Sequence, residues 1–157
     1  MAAGKTSVGR ELAQRLRVPF VDLDASIGRR LSSSVAEIFA TRGEEGFRDV
    51  ESAELAQVIA IDPVVVALGG GTLERLQNLR SVREAGVLVW LDTSRSTILS
   101  RLERGNTRRP LAADRALLLD LLEERRATYE QCDHHLRPDD DEPPSRVAER
   151  IADLLAR

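Results

Sequence analysis

Apolar positions change their period repeatedly along this chain. Over residues 8–17, Val8, Leu12, Ala13 and Leu16 recur at helical spacing, with Arg10, Arg15 and Arg17 on or near the other face. That pattern predicts an amphipathic helix. Val18-Pro19-Phe20-Val21-Asp22-Leu23-Asp24 reads as a short buried strand that leaves two carboxylates at its C-terminal end. Residues 25–31 predict a short helix. Ser34-Val35-Ala36-Glu37 is a capping-box pattern opening another helix, with Ile38 and Phe39 facing inward. Gly43 breaks it, and a longer helix is expected over 44–61. Asp62-Pro63 stops that helix and launches Val64-Val65-Val66-Ala67-Leu68, an unbroken apolar run such as a strand buried on both faces of a parallel sheet shows.

The alternation continues through the second half. Gly69-Gly70-Gly71 follows the apolar run directly, residues 72–84 predict a helix, and Gly86 ends it. Val87-Leu88-Val89-Trp90-Leu91 is the next buried strand, closed by Asp92. A helix over 94–104 turns Ile98, Leu99 and Leu102 inward. Residues 105–115 are polar and arginine-rich without periodicity, and 116–131 predict a long helix. His134 to Arg137 can form a short edge strand, 139–144 an acidic turn, and the last helix carries Val147, Ile151, Leu154 and Leu155 on one stripe. Strand and helix in alternation imply a three-layer α/β/α domain with a short parallel sheet covered by helices on both faces.

Composition narrows the class. The 157 residues suit one domain over 1–157 with a real core, and aromatics at 3% leave that core to Leu, Val, Ile and Ala. A net charge of −3 argues against a nucleic-acid partner, which usually meets a basic face. Cys132 is the single cysteine, so neither an internal disulfide nor a cysteine-based zinc site can form, as suits a reducing cytosol. No apolar run approaches the roughly 20 residues that span a bilayer, so no membrane partner and a cytoplasmic location are expected.

The chemistry starts at Gly4-Lys5-Thr6, the back half of a phosphate-binding loop, G-x-x-x-x-G-K-[ST]. Such loops cradle nucleotide phosphates with backbone N–H groups, reach the β/γ-phosphates with the lysine and place the next hydroxyl on Mg²⁺. They run straight into a helix whose N-terminus adds to the anion site, and small Ala2, Ala3 and Gly4 leave the phosphates room. The motif's first glycine, and the strand that feeds it, would lie before Met1. That strand belongs in mid-sheet, and without it two neighbours would carry unpaired buried backbone groups at roughly 1–3 kcal/mol each. About ten further apolar, β-branched residues upstream are therefore expected, and the chain as written should be destabilised and a poor nucleotide binder. Asp22 and Asp24 would share one side of an extended segment, because the side-chain period of a strand is two. A plain helix-capping turn is the competing reading.

Five separated stretches then carry a resemblance: Ala3-Gly4-Lys5-Thr6-Ser7, Asp22-Leu23-Asp24, Gly46-Phe47-Arg48, Gly69-Gly70-Gly71, and Arg109-Pro110-Leu111 followed by Arg125-Arg126-Ala127-Thr128-Tyr129. In this order and near this spacing the chain resembles the shikimate kinases, small P-loop kinases of the nucleoside-monophosphate-kinase-like group. The resemblance implies transfer of the ATP γ-phosphoryl group to the 3-hydroxyl of shikimate by a monomer. Ala2 to Ser7 and Arg109 would hold ATP. Lys5 would be the β/γ-phosphate cation, Thr6 a Mg²⁺ ligand, and Asp22 an organiser of the ion's water shell. Asp24 would hold the acceptor hydroxyl, as base or as orienter, and Gly70 would approach it. Arg48 and Arg125 would clamp the acceptor carboxylate, with Arg126 the rival because Ala127-Thr128 replaces the family's Pro-Leu. Residues 104–115 would be a lid over ATP.

Blander readings stand beside these. Arg48 could be a partner of Glu44 or a neighbour of Glu51 on a wet helix face, three glycines a plain turn, and the arginines of 104–115 a solvated loop. His134 and His135 point to opposite faces of any strand, Asp139-Asp140-Asp141-Glu142 lacks calcium-loop spacing, and Trp90 and Cys132 read as structural. A gluconate-type or nucleoside-monophosphate kinase is one alternative, and an inactive, truncated P-loop binding protein is another.

Overall fold

A computed structural model of the chain describes residues 2–104 and 115–156. Helix α1 (Lys5–Leu16) begins on the phosphate-loop lysine itself, three residues before the start expected from its apolar stripe. Strand β1 (Phe20–Asp22) is followed without a gap by α2 (Leu23–Leu31). Helix α3 (Val35–Ile59) starts on the Ser34/Glu37 capping box and is kinked at Gly43, whose φ of 70° is a left-handed value that favours glycine. Strand β2 (Val65–Ala67) leads through the glycines into a 3-10 turn (Thr72–Glu74) and α4 (Leu76–Ala85). The expected single helix over 72–84 is thus divided, because Arg75 is extended, with ψ 118°.

Strand β3 (Val89–Leu91) and α5 (Arg95–Arg104) follow. Past the undescribed stretch come α6 (Arg115–Glu124) and the single turn α7 (Arg126–Tyr129), which break the expected 116–131 helix at Arg125. Strand β4 (His134–Leu136) and α8 (Pro144–Leu155) complete the order.

Among the described residues all strand pairing is parallel. β1 pairs with β2, Phe20 opposite Val65 and Asp22 opposite Ala67, and β3 pairs with β4, Val89 opposite His134 and Leu91 opposite Leu136. Between β2 and β3 runs an apolar channel of about 860 Å³, walled by Val64, Val66 and Leu68 on one side and Val87, Val89 and Leu91 on the other. Among the described residues the strands thus form two separate two-stranded sheets, with the channel between them.

Helices bridge this channel on both faces. On one face α1 and α8 pack together, and their Val8, Leu12, Val147, Ala148 and Ile151 meet Val65 of β2 as well as Val89 and Leu91 of β3. On the other, Leu23, Ile27, Ile38, Phe47 and Leu55 pack under β1 and β2, and a smaller cluster of Leu73, Leu79 and Leu88 touches Leu68, Val82 and Cys132. The α8 stripe read from the sequence is the buried face of that helix; its terminal Leu155 is 40% exposed. Among the described residues no helix is long and apolar enough to cross a membrane.

Candidate active site

The phosphate side is built mainly from backbone. Gly4 takes φ 96°, the left-handed region where a Cβ is penalised, so the chain turns there and enters α1 with no side-chain cap. The first N–H groups of a helix have no intrahelical acceptor, and here they belong to Lys5, Thr6 and Ser7. The loop before them is pinned from α5 and its approach: Thr93 Oγ1 donates to the Ala3 carbonyl at 2.9 Å, and Arg101 Nη1 to the Ala2 carbonyl at 3.3 Å. Thr93 and Arg101 were not singled out in the sequence, since nothing local marks a residue 90 or more positions away as a loop anchor.

Thr6 Oγ1 donates to Asp22 Oδ2 at 2.6 Å, while Asp22 Oδ1 accepts from the Ala25 N–H at 3.1 Å. Asp22 is therefore the N-cap of α2, as the capping reading has it, and also the partner of the loop hydroxyl. The picture of Asp22 and Asp24 on one side of an extended segment is corrected. The cap turns the chain helical at Leu23, and Asp24 lies in the first turn of α2. A hydroxyl and a carboxylate at a helix N-terminus suit Mg²⁺, which is usually held by one or two protein oxygens and otherwise by water and phosphate.

The acceptor side is built from side chains. A Cβ on Gly69 would stand 2.8 Å from Glu51 Oε1 and 2.9 Å from both Asp24 Oδ1 and Thr72 Oγ1, so these three groups surround that glycine. Glu51, 1% exposed, accepts from Thr72 Oγ1 at 2.7 Å and from Arg48 Nη1 at 2.8 Å. The Arg48 guanidinium lies against Gly71, where an added Cβ would stand 2.8 Å from Cζ. Gly71 therefore makes room for the guanidinium, and the Gly70 carbonyl accepts the Tyr129 hydroxyl.

Burial works against the charge on Arg48. Glu51, by hydrogen bond and charge, then Glu74 and Glu44, outweigh that penalty and hold its pKa above the ordinary arginine value. The bland partner Glu44 is present too, 3.6 Å from Nη2, but it is 68% exposed and is the longest of the contacts.

Arg125 reaches the same cluster. Its Nε donates to Glu74 Oε1 at 2.6 Å, and Arg48 Nη2 donates to Glu74 Oε2 at 3.3 Å. Arg126 turns away, pairing with Glu130 at 3.0 Å and lying 5.5 Å from the centre of the Trp90 ring. The break at Arg125 separates the two arginines, so Arg125 is the one that joins Arg48. A cavity of about 420 Å³ opens against Glu44, Glu74, Glu124 and Arg125. Glu51 was expected only as a helix neighbour of Arg48, and Thr72 and Glu74 carry no local signal at all; the Arg48/Glu51 spacing of three was the one sign of the pair.

Lys5 and Thr6 thus open α1, with Thr6 on Asp22 at the end of β1; Asp24 follows in α2 beside Gly69, next to Gly70, and Arg48 and Arg125 meet at Glu74 after β2. Arg109 and the lid over 104–115, apart from Arg104 and the helical start at Arg115, lie outside the described residues. Elsewhere the blander readings describe what is seen. His134 is partly buried and His135 exposed, on opposite faces of β4, with His135 edge-on to Trp90. Asp140 accepts hydrogen bonds from Thr97 and Ser94, which hold its carboxyl below the usual range.

The family model for shikimate kinase matches residues 1–156. The chain belongs to the shikimate kinase family. A shikimate kinase from Gloeobacter violaceus is 44% identical over 160 residues, covering 100% of this chain and 89% of its own length. Among solved structures, shikimate kinase from Acinetobacter baumannii in complex with shikimate superposes with a TM-score of 0.93 at 31% identity, covering 99% of this chain and 88% of its own. A gluconokinase from Sinorhizobium meliloti, 20% identical with a TM-score of 0.57, shares the fold alone. For this shikimate kinase family member, the expected α/β kinase fold and phosphotransferase class both stand.

Proposed function

We propose that this protein transfers the γ-phosphoryl group of ATP to the 3-hydroxyl of shikimate, giving shikimate 3-phosphate and ADP. The observation that carries the reading is the convergence of Arg48 and Arg125 on one carboxylate, with Arg48 also held by Glu51, which shares the surroundings of Gly69 with Asp24. Two planar guanidinium groups are a grip for a carboxylate that a lysine cannot reproduce. Phosphoryl transfer asks the protein for alignment and charge neutralisation more than for covalent chemistry.

Lys5 and the N–H groups of residues 4–7 hold the phosphates, joined by Arg109 from the lid. Thr6 would hold Mg²⁺ and Asp22 would order the ion's water shell, and the ion would neutralise charge on the phosphates. Asp24 accepts the hydrogen bond of the acceptor hydroxyl and fixes its oxygen for attack. As the new P–O bond forms, the bond to ADP breaks and the hydroxyl proton leaves on the Asp24 side. We further assign the work to a monomeric cytoplasmic domain spanning 1–157, without nucleic-acid or membrane partners.

The test is ADP release with ATP and Mg²⁺ in the presence of shikimate, gluconate or a nucleoside monophosphate. Shikimate-dependent turnover that is lost in Asp24→Asn and Arg48→Ala supports the assignment. Turnover with another acceptor alone reassigns the substrate, and none at all leaves a P-loop binding protein.

A further inference from the structure

We infer that Glu74 is a built-in competitor for the acceptor's carboxylate: it occupies the Arg48–Arg125 clamp and must be displaced before substrate is gripped. The inference rests on the clamp assignment above and adds a group that sets its affinity. Glu74 offers one oxygen to each arginine, Oε1 to Arg125 Nε and Oε2 to Arg48 Nη2. A substrate carboxylate held between two guanidinium groups would make the same pair of contacts. The two side chains it bridges are 9% and 17% exposed, so they have few other places to turn.

Of the three carboxylates around Arg48, Glu74 is the one placed to leave. Glu51 is buried at 1% and also tied to Thr72, which fixes it as the permanent counter-ion. Glu44 touches Arg48 at 3.6 Å and stands mostly in solvent. Glu74 is 38% exposed and ends a three-residue 3-10 turn, immediately before the extended Arg75. With Glu74 in place, two guanidinium groups face three carboxylates, a balance that repels an incoming anion. With Glu74 swung outward, both arginines present free donors to it. A ligand that binds a state populated only part of the time has its apparent affinity reduced by that fraction.

Glu74→Gln keeps the side chain's size and removes its charge, and isothermal titration and steady-state kinetics read the result. The Kd and KM for shikimate are expected to fall about three- to tenfold, for a competitor that holds the clamp most of the time. The KM for ATP stays in place. The methyl ester of shikimate, which has no carboxylate charge, gains nothing from the substitution. Glu74→Ala behaves in the same direction. An unchanged or raised KM for shikimate in both variants, with turnover retained, overturns the inference and makes Glu74 a bystander or a prop for the arginines. An equal gain for acid and ester overturns it too. Absence of shikimate-dependent turnover in the unsubstituted protein is a different result, since it removes the clamp assignment itself.

Discussion

Around Arg48 nearly every contact is one side chain on another, whereas around Gly4-Lys5-Thr6 the contacts are largely made by backbone. Arg48, Glu51, Thr72, Glu74 and Arg125 come from α3, the turn after β2 and the start of α7, and hold one another by charge. The phosphate loop is a left-handed glycine, a helix start and two carbonyls tied down by Thr93 and Arg101. Phosphate is common to every substrate of such a fold, and a backbone cradle serves it without regard to what lies beyond. The acceptor must be told from other hydroxyl compounds, and only side chains carry that much chemical detail.

The largest effect expected from this contrast is at Arg48. Arg48→Ala should lower kcat/KM for shikimate by about a thousandfold, as loss of one partner of a buried charge pair does. It should also cost about 3–5 kcal/mol of stability in urea unfolding, because Glu51 is left buried without its cation. Arg75→Ala is the matched control. Its partners Glu45 and Asp49 are 88% and 74% exposed, so the midpoint should not move. Similar losses in both variants would break the distinction between a built cluster and a solvated helix face.

Asp22→Asn probes the other side. Asparagine still caps α2, so the unfolding midpoint should hold. Turnover should fall about ten- to a hundredfold, with the Mg²⁺ requirement moved to higher concentration. A loss of stability with unchanged Mg²⁺ dependence would make Asp22 a cap and nothing more. Gly71→Ala sharpens the boundary between the halves. The added methyl meets the Arg48 guanidinium, and should raise KM for shikimate about tenfold while leaving that for ATP in place.

The smallest effect concerns Cys132, beneath both halves. Burial first, then the neighbouring Asp133 charge, push its thiol up to about 11. Folding favours the neutral thiol, so this contribution to stability is whole below pH 9 and is lost as pH rises through about 11. Alkylation at pH 8 should run on the order of a hundredfold slower than in the denatured chain, since the thiolate is the reacting form. Equal rates would mean that Cys132 is not packed against the Leu73, Leu79 and Leu88 cluster.

Local rules made the phosphate side readable, and tertiary packing hid much of the rest. Lys5, Thr6, the Ser34 capping box and the α8 stripe follow from neighbours three or four residues apart. Asp24 was misplaced on a strand because Asp22 ends β1 by capping α2, and periodicity cannot see a cap win over a strand. Choosing Arg125 over Arg126 needed the break between α6 and α7. Glu74 became part of the clamp only through contacts 26 and 51 residues away. The acceptor half was therefore legible as arginines, glycines and the helix neighbours Glu44 and Glu51, while Glu74, the carboxylate that bridges the two arginines, was not.

One carboxylate, that of Asp22, holds both the Thr6 hydroxyl and the Ala25 N–H. The starts of α1 and α2 are thereby joined at a single side chain. The spacing between the phosphate loop and Asp24 is then set by two hydrogen-bond lengths rather than by the looser packing of one helix on another.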